Sequence, residues 1–177
     1  KNAKLYEEIL SSDKFGINLK GEIDIDWNKM MERKDKVIDH ITDSVKKLLL
    51  KNGVTIYNCF GEIIDKNTIQ VEDEQIKTKS LIIATGSSVK FPPIEGLKES
   101  YDNGEVLDST GAITLEKLPK DMIILGAGVI GIEFATLYSS LGVKVTVIQR
   151  SGEILSHLDK EIRVEVERHL REKGVNI

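Results

Sequence analysis

The chain is poor in the residues that mark small stapled or fibrous proteins. It has one cysteine, three prolines and one tryptophan in 177 residues. A lone thiol, Cys59, cannot form an intrachain disulfide, so a disulfide framework is excluded and nothing points to an oxidising compartment; a cytoplasmic setting is expected. Neither sign of charge dominates: 25 Lys and Arg against 29 Asp and Glu leave a net charge of −4. A mildly acidic chain is a poor general nucleic-acid binder. No apolar run approaches the roughly 20 residues of a membrane helix. The opening Lys1-Asn2-Ala3-Lys4-Leu5 lacks the apolar centre of a signal peptide. No metal-ligand pattern is present. What remains is ordinary globular usage, 40% hydrophobic and 31% charged, in a length that fits one domain or two small ones.

Periodicity divides the chain. Residues 4–12 suggest a short helix. Trp27, Met30, Met31, Val37, Ile41, Val45 and Leu48 recur at 3–4 residue spacing, which predicts a helix of about 25 residues with its apolar stripe in a core. Asp26 is its expected N-cap and Asn52-Gly53 its stop. His40, within it, reads as structural or solvated. The period then shortens. Residues 54–60 read as a strand containing Cys59, and Gly61-Glu62 as a break. Residues 63–79 read as a meander of short strands, with turns at 65–67 and 72–74. The run Leu81-Ile82-Ile83-Ala84, ending at Thr85-Gly86, predicts a strand buried on both faces. Residues 87–108 read as linker, with a domain boundary near Asp108.

The last third alternates strand and helix. Residues 122–125 predict a strand; Ile130, Phe134, Leu137 and Leu141 predict the inner face of a helix ended by Gly142. Residues 143–148 predict a second strand. Ser156-x-x-Asp159 resembles a capping box ahead of a helix through Leu170. Val175-Asn176-Ile177 reads as the start of a third strand, cut short. With no initiator Met at the other end, an internal fragment is expected.

The chemistry sits in Gly126-Ala127-Gly128-Val129-Ile130-Gly131, which fits G-x-G-x-x-G between a strand and a helix, within a βαβ unit of about 30 residues. Gly126 permits the tight turn, Gly128 lets a pyrophosphate reach the backbone, and Gly131 lets helix and strand pack closely. The helix N-terminus adds free N–H groups and a positive dipole end. An acidic residue normally ends the second strand and binds the ribose of NAD. Here Gln149 and Arg150 follow Ile148. Gln149 can bond a ribose hydroxyl but cannot repel a 2′-phosphate, and Arg150 can pair with one. NAD and NADP both stay open.

Four strings, Leu81 to Ser87, Leu107 to Ala112, Gly126 to Glu133 and Gly152 to Ser156, resemble the dihydrolipoamide dehydrogenase family of flavoprotein disulfide reductases, in order and spacing, from about Tyr6 to Ile177. The resemblance implies an α/β fold with two truncated Rossmann-like domains of parallel sheets and a small β-meander. Residues 1–108 would be the later part of an FAD-binding domain, and 109–177 the first half of an NAD(P)-binding domain. It implies FAD beside Gly61, Thr85, Gly86 and Ser87, and Glu133 near the flavin. It further implies electron flow from a dithiol through a disulfide and FAD to NAD. The partners would be dihydrolipoamide or the lipoyl domain of a 2-oxo acid dehydrogenase complex, with a homodimer as the intact parent.

The departures are equally specific. The paired redox cysteines and the catalytic His-Glu pair are absent; Cys59, His157 and His169 match none of them. Gln149 replaces the family's usual glutamate. No catalytic residue is expected in this chain, and little or no turnover from it alone. The alternatives are a related NADPH-dependent flavoprotein disulfide or metal-ion reductase, and a non-catalytic dinucleotide-binding module.

Overall fold

The computed structural model describes residues 2–177. Contacts divide the chain into two compact units: the N-terminal residues to Glu32 with Ser109–Ile177, and Arg33–Asp108. Helix α1 (Asn2–Leu10) and a 3-10 turn (Ser12–Phe15) open the chain. The long helix is α2 (Trp27–Lys51). Asp26 caps it, accepting the Lys29 backbone N–H at 3.0 Å; that bond and the Lys29 ammonium hold its carboxyl below the usual range. Gly53, at φ 75°, ends it. Gly53 N–H donates to Leu50 C=O at 3.0 Å and Val54 N–H to Leu49 C=O at 3.1 Å, the paired bonds of a Schellman stop.

The expected burial of the α2 stripe holds only in part, at its start, where Trp27, Met30 and Met31 are half-buried. Val37, Ile38, Ile41, Val45 and Leu48 are exposed, and no residue of the helix is buried. Spacing specifies a helix; burial also needs a facing element, and none of the described ones covers this face.

The meander is β1 (Gly61–Asp65), β2 (Thr68–Val71) and β3 (Glu74–Lys77), antiparallel in that order. Asp65 shapes the first turn by accepting the Asn67 N–H at 2.7 Å. Gly61-Glu62 begins β1 rather than breaking the chain, with Gly61 opposite Val71. Residues 54–60 and 81–84 form no strand. Ile82 and Ile83 are exposed at 87% and 68%, which overturns the doubly buried strand. β-propensity reports a fit to a pleated surface, and no neighbouring strand supplies that surface here. Cys59 is accordingly an exposed residue of an irregular segment. Within the expected linker lies a short helix, α3 (Leu97–Asp102), and after it α4 (Ser109–Ala112).

The other unit holds β4 (Asp121–Leu125), α5 (Val129–Ser140), β5 (Lys144–Ile148) and α6 (Lys160–Glu172). Strands β4 and β5 pair in parallel, Asp121 opposite Lys144 through Leu125 opposite Ile148. The connection between them is α5, which packs on both strands, so this is a βαβ unit. The third strand begins as expected: Asn176 bridges Thr146 in parallel. Val145, Val147, Leu170 and Val175 form the centre of the core. Trp27 packs against it and donates its Nε1–H to Leu115 C=O at 2.9 Å.

Two details of this unit differ from the sequence reading. The buried face of α5 is Ile132, Ala135 and Tyr138; Ile130 and Leu137 are exposed. Phe134 packs against the core and Leu141 is buried, as expected, and the small Ala135 lets the helix approach the sheet. Asp159 is the N-cap of α6 without a side-chain bond, so the Ser156 capping box does not form. Among the described residues no helix is long and apolar enough to cross a membrane, and no cluster of side chains could hold a metal ion.

Within this unit an ion pair ties α1 to the end of α6. The Glu7 carboxylate accepts from the Lys173 ammonium and, at 3.1 Å, from Ser140 Oγ. The Lys173 hydrogen bond, more than the serine, holds the Glu7 carboxyl below its ordinary value, against opposing desolvation. A carboxyl lowered on folding stabilises above its unfolded pKa and loses that contribution as the pH falls through the folded value. Glu7 is 41% exposed, so the pair is worth at most about 1 kcal/mol after solvent screening. Urea midpoints of the chain and of Glu7→Gln should therefore differ by a constant amount at neutral pH. The difference should close below the carboxylate range.

Candidate functional site: the glycine turn between β4 and α5

The turn after β4 is built by three glycines with three separate tasks. Gly126 sits at φ 104°, in the region that favours glycine, and its N–H donates to Ile148 C=O at 2.9 Å. The turn is thereby pinned to the end of the neighbouring strand. Gly128 is extended and is the N-cap of α5, with no side chain to cap the helix. A Cβ built on Gly128 meets nothing within 4 Å. Its backbone therefore faces open space, beside the N–H groups of the first turn of α5. Gly131 is the reverse case. A Cβ there would stand 2.1 Å from the Gly126 carbonyl oxygen, so helix and turn touch backbone to backbone.

The remaining residues of the motif divide cleanly. Ala127 is 1% exposed, whereas Val129 and Ile130 are exposed at 49% and 58%. The Ala127 peptide is gripped from both sides. Its N–H donates to Gln149 Oε1 at 3.1 Å, and its C=O accepts the Leu155 N–H at 2.8 Å. Gln149 Nε2 in turn donates to Ser151 Oγ at 2.7 Å, and Ser151 Oγ to Glu153 C=O at 3.3 Å. The Glu153 carboxylate pairs with Arg163 of α6. Leu155 closes the turn at φ 46°, a left-handed conformation that costs a non-glycine residue about 1 kcal/mol. Its buried side chain and its bond to Ala127 offset that strain.

An anion fits this arrangement. The N-terminus of α5 presents uncapped N–H groups and the positive end of a helix of 12 residues. Gly128 leaves the approach clear. Arg150 is exposed and pairs with no carboxylate among the described residues. The turn thus brings together Gly126 to Gly131 and Gln149, with the exposed Arg150 next in the chain.

The other expected site residues are not drawn into this arrangement. Glu133 is exposed on α5 and, with Ala3, Lys4 and Thr136, lines a shallow depression beside α1. Gly61 starts β1, while Thr85, Gly86 and Ser87 lie on an exposed irregular segment, Gly86 at φ 75°. No hydrogen bond among the described residues joins Gly61 to that segment. Ser151 and Arg163 carry no local signal in the sequence. Only the string Gly152 to Ser156 marked the neighbourhood.

The family model described as pyridine nucleotide-disulphide oxidoreductase matches residues 3–177. A curated relative, the dihydrolipoyl dehydrogenase of Acholeplasma laidlawii, is 44% identical over 177 residues, which is 100% of this chain and 53% of that protein. The dihydrolipoyl dehydrogenase of Mycoplasma pneumoniae is 36% identical over the same length, 39% of that protein. Among solved structures, the HOCl-induced flavoprotein disulfide reductase RclA from Escherichia coli matches 86% of this chain and 35% of its own, with a TM-score of 0.75 and 29% identity. The chain spans about half, or less, of the length of the curated relatives it matches.

Proposed function

Because the chain belongs to the pyridine nucleotide-disulphide oxidoreductase family, we propose that it is a segment of a dihydrolipoyl dehydrogenase, with 1–108 from the FAD-binding domain and 109–177 from the NAD-binding domain. The observation that carries this reading is the 44% identity to the Acholeplasma enzyme along the whole chain. The substrate is dihydrolipoamide, free or on the lipoyl domain of a 2-oxo acid dehydrogenase complex, and the intact enzyme acts as a homodimer in the cytoplasm. When bound, FAD and NAD carry the two electrons that leave the dithiol as it closes to a disulfide, with one proton released.

This chain's own share is binding and orientation. Gly128 gives a pyrophosphate access to the backbone, and the first turn of α5 offsets its charge. Gln149 bonds the adenosine ribose. Glu133, Gly61, Thr85, Gly86 and Ser87 are assigned to the flavin side on the family resemblance alone. With Cys59 as its single thiol, the chain has no redox pair, and by itself it turns over little or no substrate.

Arg150 favours a second reading, an NADPH-dependent flavoprotein disulfide or metal-ion reductase, because its free guanidinium suits a 2′-phosphate. Turnover of the intact enzyme with dihydrolipoamide, comparing NAD with NADP, separates the two. Rapid NAD reduction is the expected result. Flavin reduction by NADPH with no lipoamide turnover would transfer the assignment to the second reading, and failure of both would refute each.

A further inference from the structure

We propose that Arg163 is a positioning residue for the glycine turn. By holding Glu153 from α6 it keeps Leu155 on the Ala127 carbonyl, and so keeps the turn in the shape that a pyrophosphate meets. The inference rests on the dinucleotide reading of the turn and deepens it.

A turn made of glycines does not fix its own shape. Ala127 lies between Gly126 and Gly128, and glycine has a wider backbone range than any other residue. The clamp must come from elsewhere. At the Ala127 carbonyl it is the Leu155 N–H, at 2.8 Å. Leu155 holds that place in a left-handed conformation, φ 46°, which favours its release. Two residues before it, the Glu153 carboxylate accepts from Nη1 of Arg163.

Arg163 occupies an unfavourable place. Its side chain is 17% exposed, against 62% for Glu153. Its Nε–H is buried with no partner among the described residues, and a buried donor left unpaired destabilises a fold. It is also the fourth residue of α6, toward the positive end of the helix dipole, where a cation is disfavoured. Neither packing nor helix preference accounts for a guanidinium there. The bond to Glu153 does, because it ties the strained turn to a helix anchored in the core by Leu170. Such breaches of local rules are expected where a site requires them.

The test uses the full chain, with amide exchange followed at Leu155, NADH and NADPH binding by calorimetry and stability by urea titration. Arg163→Met keeps the apolar stem and removes the guanidinium. Leu155 should then exchange about tenfold faster or more, and whichever nucleotide binds should weaken about three- to tenfold, as the closed turn falls to about a third to a tenth of the chains. The urea midpoint should not fall, since the unpartnered N–H goes too; loss of a mere prop for the core would lower it. Glu153→Ala breaks the same bond but strands the guanidinium, so it should open Leu155 as far and lower the midpoint as well. The double variant should exchange no faster than either single one. Leu155 exchange or nucleotide affinity that ignores Arg163→Met overturns the inference alone. So does an Arg163→Met chain that loses its urea transition, or a double variant whose effects add. An unaltered chain that binds neither nucleotide overturns the dinucleotide reading and this inference with it.

Discussion

Gly131→Ala should unfold much of the βαβ unit. The added Cβ would lie 2.1 Å from the Gly126 carbonyl oxygen and 3.3 Å from Ile124 Cγ2. The first of these contacts is with backbone, and a rotamer change cannot relieve it. Overpacking of a well-packed site costs about 1–3 kcal/mol when side chains can move aside. Here α5 itself must move off the turn, so a loss at or above the top of that range is expected. The helix would carry with it Ala135 and Tyr138, at 0% and 1% exposure. The Tyr138 hydroxyl, which donates to the Ala112 carbonyl, would lose its acceptor. A urea titration followed by circular dichroism measures this directly. A midpoint within error of the unaltered chain would show that the turn relaxes freely and that the close approach is incidental.

Gly128→Val should have the opposite signature. A Cβ at Gly128 meets nothing within 4 Å, and the residue is extended at φ −79°, so the backbone accommodates a side chain without strain. The N-cap position favours glycine over valine by about 1 kcal/mol, and no larger stability change is expected. The branched side chain would fill the space through which an anion reaches the first turn of α5. Two lost hydrogen bonds to a charged group, at about 1.5–3 kcal/mol each, weaken a dinucleotide by a hundredfold or more. Calorimetry with NADH beside a thermal melt separates the two effects. Intact binding in a stably folded Gly128→Val chain would place the pyrophosphate elsewhere. Together the two glycines make a discriminating pair, because one substitution removes the fold and the other only the ligand.

The two halves of the chain were legible in the sequence to different degrees. Within 121–177 every strand and helix of the structure follows from period and punctuation, since strand, glycine turn, helix and strand are contiguous and pack on one another. The meander is legible for the same reason: its pairings are between neighbours in sequence, and Asp65 builds its turn locally. Residues 54–60 and 81–84 are strand-like in composition and irregular in structure. Composition describes a residue's suitability for a sheet and leaves open whether a sheet edge is there to receive it. The α2 stripe teaches the same point for helices, because its periodicity and both its caps are local, whereas its burial is not.

The sequence by itself determined the helix stops, the hairpin turns and the tasks of Gly126 and Gly131. Each depends on the conformational range of one residue and its immediate neighbours. The tertiary structure alone decided which face of α5 is buried and how the turn after β5 grips Ala127. It also decided that Gln149 spends half of its hydrogen-bonding capacity on the protein itself. Ala127 and Gln149 stand 22 residues apart in the chain, and Glu7 and Lys173 stand 166 apart. No local preference encodes a bond across such a distance; it exists only once the strands have paired and the helices have packed around a common core.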